Sequence, residues 1–368
     1  KAQIRTNQYQ TRYNDNVPTK ENIVIRGRGV LDLSQWCGDF TNSARAYNPE
    51  LPGIVIVHAN DVIVEGLVVV NPERQSVNLH FSNNVTVDNV KGFTSMEEGD
   101  GIALVQDNHN ITVQNCFVRT SDDSLVTGAY SDNIRWENNV VANMRVHSLM
   151  VNAAYLTNYT AKDIYIINSN AFPGYKGTIG VYGGGPGVED ITFENIYIER
   201  AQNGCMLEMY TYAMWTGGIG NIKNVTFNNV HYSTKYNNED YWSAIGATVI
   251  DGEFWLWPDG TQHDTNYRYQ TYIDGVQFNN CTIDGKLITD SESGRISVGS
   301  STTNVSFNEV PYDGELQCSP DIIPSVEERE GKYYRISSRT QSGKCLYDDG
   351  SGIVKLVDDR ARGKFIMF

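Results

Sequence analysis

A short phrase that recurs along the chain is the strongest constraint on its fold. Each copy has Asn or Asp (Gly in one copy), then Ile or Val, then a second Asn four residues after that apolar anchor. The copies begin at Asn84, Asn110, Asn133, Asp163, Asp190, Asn224 and Gly275, with weaker end copies at Asp61 and Asn304. Successive anchors are 23 to 34 residues apart, except for one interval of 51. Such a repeat is typical of a solenoid of stacked coils.

Residues within each copy alternate in polarity, as in Ile111-Thr112-Val113 and Val225-Thr226-Phe227. This alternation predicts short strands, and no long segment has the 3.6-residue period of an amphipathic helix. The recurring Asn suits a corner, because Asn tolerates the left-handed backbone conformation and its amide can bond to the Asn of the next coil. We therefore predict an all-β right-handed parallel β-helix of about ten coils with an Asn ladder. A leucine-rich repeat is the alternative, but its Leu-x-x-Leu-x-Leu spacing is missing.

The composition excludes several kinds of partner. The 368 residues carry 29 basic and 44 acidic side chains, a net charge of −15, which argues against nucleic acid and anionic membranes. No run of 18 apolar residues exists, so we expect no membrane span. Abundant Tyr, Asn and Gly suit a secreted, extracellular protein that acts on a polysaccharide, and we expect a monomer. The chain begins at Lys1 without a signal peptide, so we expect that a preceding segment has been removed.

Three segments are expected along the chain. The repeat occupies residues 1–310, and a Pro-containing stretch over 311–327 reads as a linker. Residues 328–368 include Lys332-Tyr333-Tyr334-Arg335-Ile336, which resembles the opening of a ricin-type β-trefoil carbohydrate-binding module. Only about a third of such a module is present, so this segment is expected to be partial.

The repeat places several acidic residues in register. Asp100 and Asp123 each lie 11 residues before their anchors, Ile111 and Ile134. They should therefore occupy the same lateral position on neighbouring coils, with Asp122 beside them. His147 follows Asp123 by 24 residues, about one coil.

The same column extends in both directions. Gln75 falls one coil before Asp100, and Lys176 falls beside the column one coil after His147. Isolated surface acids on an acidic protein can align by chance, and His147 alone could be a structural histidine. Three carboxylates, a His and a Gln in one column favour a functional site. There Gln75 and Lys176 would bind substrate, and His147 would bind substrate or hydrogen-bond the acids and hold their protonation states.

Clustered carboxylates suit glycoside hydrolysis. Like charges this close make one group retain its proton, and the reaction needs both a carboxylic acid and a carboxylate that activates water. Neighbouring coils are about 4.8 Å apart, and splayed side chains could reach the roughly 6.5–9.5 Å of inverting enzymes. Asp122 and Asp123 are consecutive, so both can face one cleft only where a bulge or strand end intervenes.

Aromatic side chains on later coils suit sugar binding. Tyr182, Tyr210, Trp255 and Trp257 offer flat faces for stacking on pyranose rings, and Glu208 could accept hydrogen bonds from sugar hydroxyls. The alternative for the two Trp residues is that they only pack an insertion onto the solenoid.

The acidic residues resemble the signature of β-helical glycoside hydrolases of the polygalacturonase, dextranase–isopullulanase and α-1,3-glucanase types. In that signature an Asp is followed one coil later by Asp-Asp, and in polygalacturonases by Gly-His-Gly one coil further. Asp100, Asp122-Asp123 and His147 match, and the resemblance covers about residues 20 to 310. It implies a pectate-lyase-like solenoid in which Asp122 is the general acid and Asp100 and Asp123 hold the attacking water.

The departures shape the substrate expectation. The Arg-Ile-Lys that grips a uronate carboxylate in polygalacturonases has no counterpart, since its coil carries Thr178-Ile179-Gly180. A site for acidic sugars needs cations, so we expect a neutral α-glucan of the dextran or α-1,3-glucan type, cleaved with inversion and without metal or cofactor. The alternatives are hydrolysis of an acidic pectic polysaccharide, a polysaccharide lyase whose acids hold Ca²⁺, and a glycan-binding solenoid without activity.

Overall fold

The structure is a computed structural model. It describes residues 3–8, 14, 16–34, 52–95, 99–168, 177–201, 205–211, 220–234, 242–246, 271–299 and 302–312, and four short C-terminal strands. The chain divides into two compact units, Lys1–Gln317 and Cys318–Phe368.

The regular structure of the described residues of the first unit is β-strand, and these residues contain no α-helix. Its strands are β1 Ile4–Arg5, β2 Lys20–Arg26, β3 Val30–Asp32, β4 Ile54–Glu65, β5 Val68–Val70, β6 Val77–Asp88, β7 Lys91–Phe93, β8 Ile102–Gln114, β9 Phe117–Thr120, β10 Leu125–Ala129, β11 Ser131–Glu137, β12 Val140–Asn143, β13 Leu149–Asn168, β14 Ile179–Ala201, β15 Leu207–Tyr210, β16 Asn221–Thr234, β17 Ser243–Gly246, β18 Ile273–Asn279, β19 Thr282–Ile283, β20 Lys286–Leu287, β21 Ile296–Val298, β22 Thr302–Phe307 and β23 Val310–Pro311.

Strands pair in parallel with the strands of the next coil, and each coil contributes to three sheets. One sheet joins β4, β6, β8, β10, β13, β14 and β15 through pairs such as Val77 with Ile102 and Leu125 with Leu149. A second sheet follows the repeat anchors, since Val85 pairs with Ile111. A third runs through β3, β5, β7, β9 and β12. The predicted parallel β-helix is confirmed.

Asparagines occupy corners at both ends of the anchor strand and form two ladders. Asn133 Nδ2 donates to Asn110 Oδ1 at 3.1 Å, and Asn138 Nδ2 donates to Asn115 Oδ1 at 2.7 Å. These four residues have φ between 53° and 55°, in the left-handed region. Asn suits these corners for two reasons: it accepts this backbone conformation at low cost, and its amide links the coils.

The predicted start of one copy of the repeat was wrong, because it was assigned to the second corner of its coil instead of the first. Ile134 pairs with Tyr159, and Tyr159 pairs with Ile191, so the copy begins at Asn158 rather than Asp163. Asp163 belongs to the second ladder, where its Oδ1 accepts from Asn195 Nδ2 at 2.7 Å. A Tyr stands where other copies carry Ile or Val, which hid the true anchor.

Alternate side chains fill the interior of the coil. In the later coils Phe193, Phe227, Phe278 and Phe307 stack in order, with ring centroids 4.9 to 5.3 Å apart and interplanar angles of 6° to 11°. The packed, apolar interior holds each coil against the next. The residues that precede equivalent strands therefore lie one above another on successive coils.

The second unit is described only by four strands: β24 Tyr333–Tyr334, β25 Lys344–Asp348, β26 Val354–Asp358 and β27 Ile366–Met367. β25 pairs antiparallel with β26, and β24 pairs antiparallel with β27. Most of the expected linker lies outside the described residues, so the boundaries at 310 and 327 and the trefoil resemblance stay predictions. None of the described segments is a helix long and apolar enough to cross a membrane.

Candidate active site

Three carboxylates converge at the start of one sheet. Asp100 precedes β8, and Asp122 and Asp123 precede β10 on the next coil. One oxygen from each carboxylate lies within 4.8 Å of the others. Asp100 and Asp123 are buried and Asp122 is half-buried. The structure therefore brings together the three acids that the sequence placed in one column.

The consecutive acids both converge on Asp100 because they lie between two strands. β9 ends at Thr120 and β10 begins at Leu125, so the alternation of a strand does not apply to the residues between them. The buried amide of Asn143 donates from Nδ2 to the backbone oxygens of Asp122 at 2.7 Å and His147 at 2.9 Å. Thr120 Oγ1 also donates to the Asp122 oxygen at 2.8 Å. The expected strand end is confirmed.

Neutral amides hold Asp100 from one side. Gln75 Nε2 donates to Asp100 Oδ2 at 2.8 Å, and Asn78 Nδ2 donates to Gln75 Oε1 at 3.0 Å. Gln75 is only 3% exposed. It was expected among the substrate-binding residues, but burial and this hydrogen bond make it a residue that orients Asp100. We name Asn78, Gln75 and Asp100 the amide flank.

A histidine holds Asp123 from the other side. His147 Nδ1 lies 2.8 Å from Asp123 Oδ1, and its backbone N–H donates to the same oxygen at 3.1 Å. Its Nε2 lies 2.9 Å from the Tyr182 hydroxyl, which donates to Glu208 Oε2 at 2.6 Å. We name Asp123, His147, Tyr182 and Glu208 the histidine flank.

The histidine flank favours a charged imidazole. Burial disfavours the charged form, but the negative charges and hydrogen bonds of Asp123 and Glu208 outweigh it and raise the pKa of His147 to about 9. His147 is therefore protonated at neutral pH. With 1% exposure it has no surface for a sugar, so its role is the expected alternative, a hydrogen-bond partner of the acids.

Three other predicted binding residues lie together, since Tyr182 contacts both Tyr210 and Glu208. Tyr182 is 1% exposed, so its ring offers no face for sugar stacking and its hydroxyl serves Glu208 instead. Tyr210 is half-buried with its ring centroid 6.1 Å from that of Tyr182. Glu208, with a side chain 13% exposed, reaches the histidine flank. Lys176, Trp255 and Trp257 lie outside the described residues.

Sequence reasoning missed the roles of Asn78 and Asn143. Asn143 ends a strand in which Val141 and Asn143 are the buried members of the alternation. A polar residue at an inward position was the available signal, because a buried amide must find partners. Asn78 is buried on the outward side of β6, and alternation alone did not distinguish it from an exposed polar residue.

The arrangement supplies the groups for acid–base chemistry on a glycosidic bond. Three carboxylates this close cannot all ionise at low cost, so one retains a proton beside two that can accept hydrogen bonds from water. The nearest oxygens are closer, within 4.8 Å, than the roughly 6.5–9.5 Å between carboxyl groups expected for inversion. This distance does not support inversion, which stays a prediction.

Gly180 lies where no larger residue fits. A Cβ at this position would lie 2.6 Å from His147 Cδ2 and 2.7 Å from Tyr182 Cε2. The rings of the histidine flank thus occupy the space beside this coil. A cationic side chain at position 180 is incompatible with this packing.

Comparison with known proteins gives a family match. Residues 2–244 match the sequence model of Glycosyl hydrolases family 28. A search of curated proteins found no match.

Two similar solved structures have low sequence identity. A family 28 exopolygalacturonase of Yersinia enterocolitica is 13% identical, with a TM-score of 0.45 over 71% of this chain and 47% of that one. An endo-xylogalacturonan hydrolase of Aspergillus tubingensis is 11% identical, with a TM-score of 0.38 over 73% of this chain and 68% of that one. This chain spans about half the length of the Yersinia enzyme.

Proposed function

Since this chain belongs to Glycosyl hydrolases family 28, we propose that it hydrolyses glycosidic bonds of a pectic polysaccharide. The observation that carries the proposal is the convergence of Asp100, Asp122 and Asp123 within 4.8 Å at the head of one sheet. The family match covers all three acids. Secretion, expected from composition, suits an enzyme whose substrate is a polymer.

The neutral α-glucan expected from the sequence has no support in the comparisons, and the pectic alternative replaces it. The earlier expectation relied on the missing cation near Thr178-Ile179-Gly180. A polymer contacts several sugar-binding positions along the enzyme. The missing cation constrains only one of these positions, so it does not decide which polysaccharide is bound. The packing around Gly180 accounts for the absence of a side chain at position 180 without reference to substrate charge.

The proposed reaction uses the three carboxylates in two roles. Asp122, the half-buried acid, gives its proton to the glycosidic oxygen as the bond from that oxygen to the anomeric carbon breaks. Asp100 and Asp123 bind one water molecule and accept its proton as its oxygen bonds to the anomeric carbon. Water thus adds across the bond, and exchange with solvent returns a proton to Asp122 and removes the one that Asp100 and Asp123 accepted. Attack opposite the leaving group inverts the anomeric centre.

Two other functions are distinguishable. Oxygen ligands at this spacing would also suit a divalent cation, and a lyase would then give unsaturated, ultraviolet-absorbing products in a chelator-sensitive reaction. A binding solenoid would retain polysaccharide without shortening it. The family match favours hydrolysis over both.

The test is a polysaccharide panel with product analysis. Polygalacturonate, methyl-esterified pectin, xylogalacturonan, dextran and α-1,3-glucan are incubated with the parent, with Asp122→Asn and with Glu194→Gln. Glu194→Gln is the control, since this carboxylate pairs with Lys162 at 3.1 Å. We expect the parent and control to release reducing ends from a pectic polymer, with the inverted anomer first in NMR spectra, and Asp122→Asn to release almost none.

Three results would contradict this function. Hydrolysis of dextran or α-1,3-glucan but of no pectic polymer would reject the substrate class. Unsaturated products, or unchanged hydrolysis by Asp122→Asn, would reject the mechanism.

A further inference from the structure

The hydrogens of the histidine flank can be assigned from its geometry. The Tyr182 hydroxyl has one proton, and at 2.6 Å from Glu208 Oε2 it donates to that carboxylate. Its oxygen is then an acceptor toward His147 Nε2 at 2.9 Å, so Nε2 carries a hydrogen. On the other side of the ring, Nδ1 faces a carboxylate oxygen of Asp123 at 2.8 Å and also carries a hydrogen.

Glu208 determines this assignment. Without a carboxylate at Oε2, the Tyr182 hydroxyl could turn and donate to an unprotonated Nε2, and a neutral imidazole would be satisfied. With the carboxylate in place, both ring nitrogens must donate. The separation of 3.5 Å between Nε2 and Glu208 Oε2 adds direct attraction between the imidazolium and the carboxylate.

We propose that Glu208 is a positioning residue, which acts through Tyr182 and His147 to keep a doubly protonated imidazole donating to Asp123. The carboxylate of Asp123 is thereby fixed in orientation as a hydrogen-bond acceptor, as a group that binds the attacking water must be. The inference goes beyond the proposed function and relies on it only for its kinetic consequence. It also replaces the expectation that Glu208 binds sugar hydroxyls.

The surroundings of the ring support the proposal. The charged or titratable groups that face His147 in the described structure are Asp123 from the turn before β10, Tyr182 on β14 and Glu208 on β15. Tyr210 packs behind Tyr182, with ring centroids 6.1 Å apart. The pKa of His147, raised to about 9 against the effect of burial, agrees with the hydrogen assignment.

The direct test is titration of His147 by NMR with ¹⁵N-labelled histidine, in which the His147 signal is the one missing from His147→Gln. We expect Glu208→Gln to lower the titration midpoint by roughly one pH unit or more, a tenfold loss of proton affinity. Tyr182→Phe should change the Nε2 shift. Glu208→Asp, which keeps the charge, should restore part of the midpoint. Glu194→Gln should leave all signals unchanged.

The kinetic arm uses the polymer that the parent hydrolyses. The alkaline limb of the kcat profile should move to lower pH in Glu208→Gln by the same amount as the NMR midpoint. An unchanged His147 titration midpoint in folded Glu208→Gln would overturn the proposal. A raised KM with an unchanged pH dependence of kcat would also overturn it, because that result would indicate sugar binding. If the parent hydrolyses nothing, the proposed function fails while the titration still decides the role of Glu208.

Discussion

The two flanks of the acid cluster hold their carboxylates at the same distance by different chemistry. Gln75 donates to Asp100 at 2.8 Å, and His147 approaches Asp123 at 2.8 Å. The amide flank is uncharged beyond its aspartate, whereas the histidine flank places an imidazolium between two carboxylates. The two flanks are therefore alike in distance but should differ in how their charge depends on pH. Only the histidine flank should change its charge near neutral or alkaline pH.

The largest effect is expected from the two acids themselves. Asp100→Asn and Asp123→Asn should each lower kcat by roughly 10²- to 10⁴-fold, because each removes an acceptor for the proton of water. Only Asp123→Asn should also lower the titration midpoint of His147, since it removes the partner of Nδ1. Steady-state rates and histidine NMR measure both; equal midpoints in the two variants would erase the distinction between the flanks.

Next in size is the effect on stability of breaking each flank. His147→Leu leaves Asp123 buried without its charged partner and should lower the free energy of unfolding by about 3–5 kcal/mol. Gln75→Leu removes a neutral donor and should cost about 1–3 kcal/mol. Urea unfolding at pH 7 makes the comparison. A cost for Gln75→Leu as large as that for His147→Leu would contradict the charge assignment.

Stability should also depend on pH through the histidine flank. The folded-state pKa of His147, about 9, lies above the ordinary 6.5. Its contribution is therefore fully present below pH 6.5 and is lost as pH rises through about 9. The unfolding free energy of the parent, relative to His147→Gln, should fall by roughly 3 kcal/mol across that window. A flat difference, or one that grows with pH, would have the wrong sign.

The smallest effect is expected at the outer end of the amide flank. Asn78→Ala removes a hydrogen bond to Gln75 Oε1 and should cost about 1 kcal/mol of stability, with a loss of roughly tenfold or less in kcat. The alkaline limb of the kcat profile should not move, because no titrating group is affected. A shift of that limb would show that the two flanks are coupled.

Much of the site was predictable because the repeat measures distance along the solenoid. Counting from anchors placed Gln75, Asp100, Asp123 and His147 on successive coils, and hydrogen bonds such as Gly101 N to Asp123 O at 2.9 Å confirm that register. The count failed at Tyr159, where the anchor is aromatic. The error left the acid column intact, because Asp123 and His147 precede that copy.

Roles were harder to predict than positions. Gln75, His147 and Tyr182 were all expected to bind substrate, yet each is buried and bonded within a flank. The residue to which a side chain hydrogen-bonds depends on its rotamer, and its exposure depends on the residues that cover it. Neither is encoded in the spacing of a repeat. Asn143 likewise bonds to the backbone oxygens of Asp122 and His147, in segments between strands whose conformation the repeat spacing does not describe.

The sequence by itself determined the coil, its Asn corners and the register of the acids, because a period of one coil repeats the same local interactions at each level. Tertiary structure alone decided that Asp122 and Asp123 both converge on Asp100, that amides hold Asp100 and that a charged His147 holds Asp123. These features depend on side chains from different coils meeting at hydrogen-bond distance, where burial and charge select the protonation state.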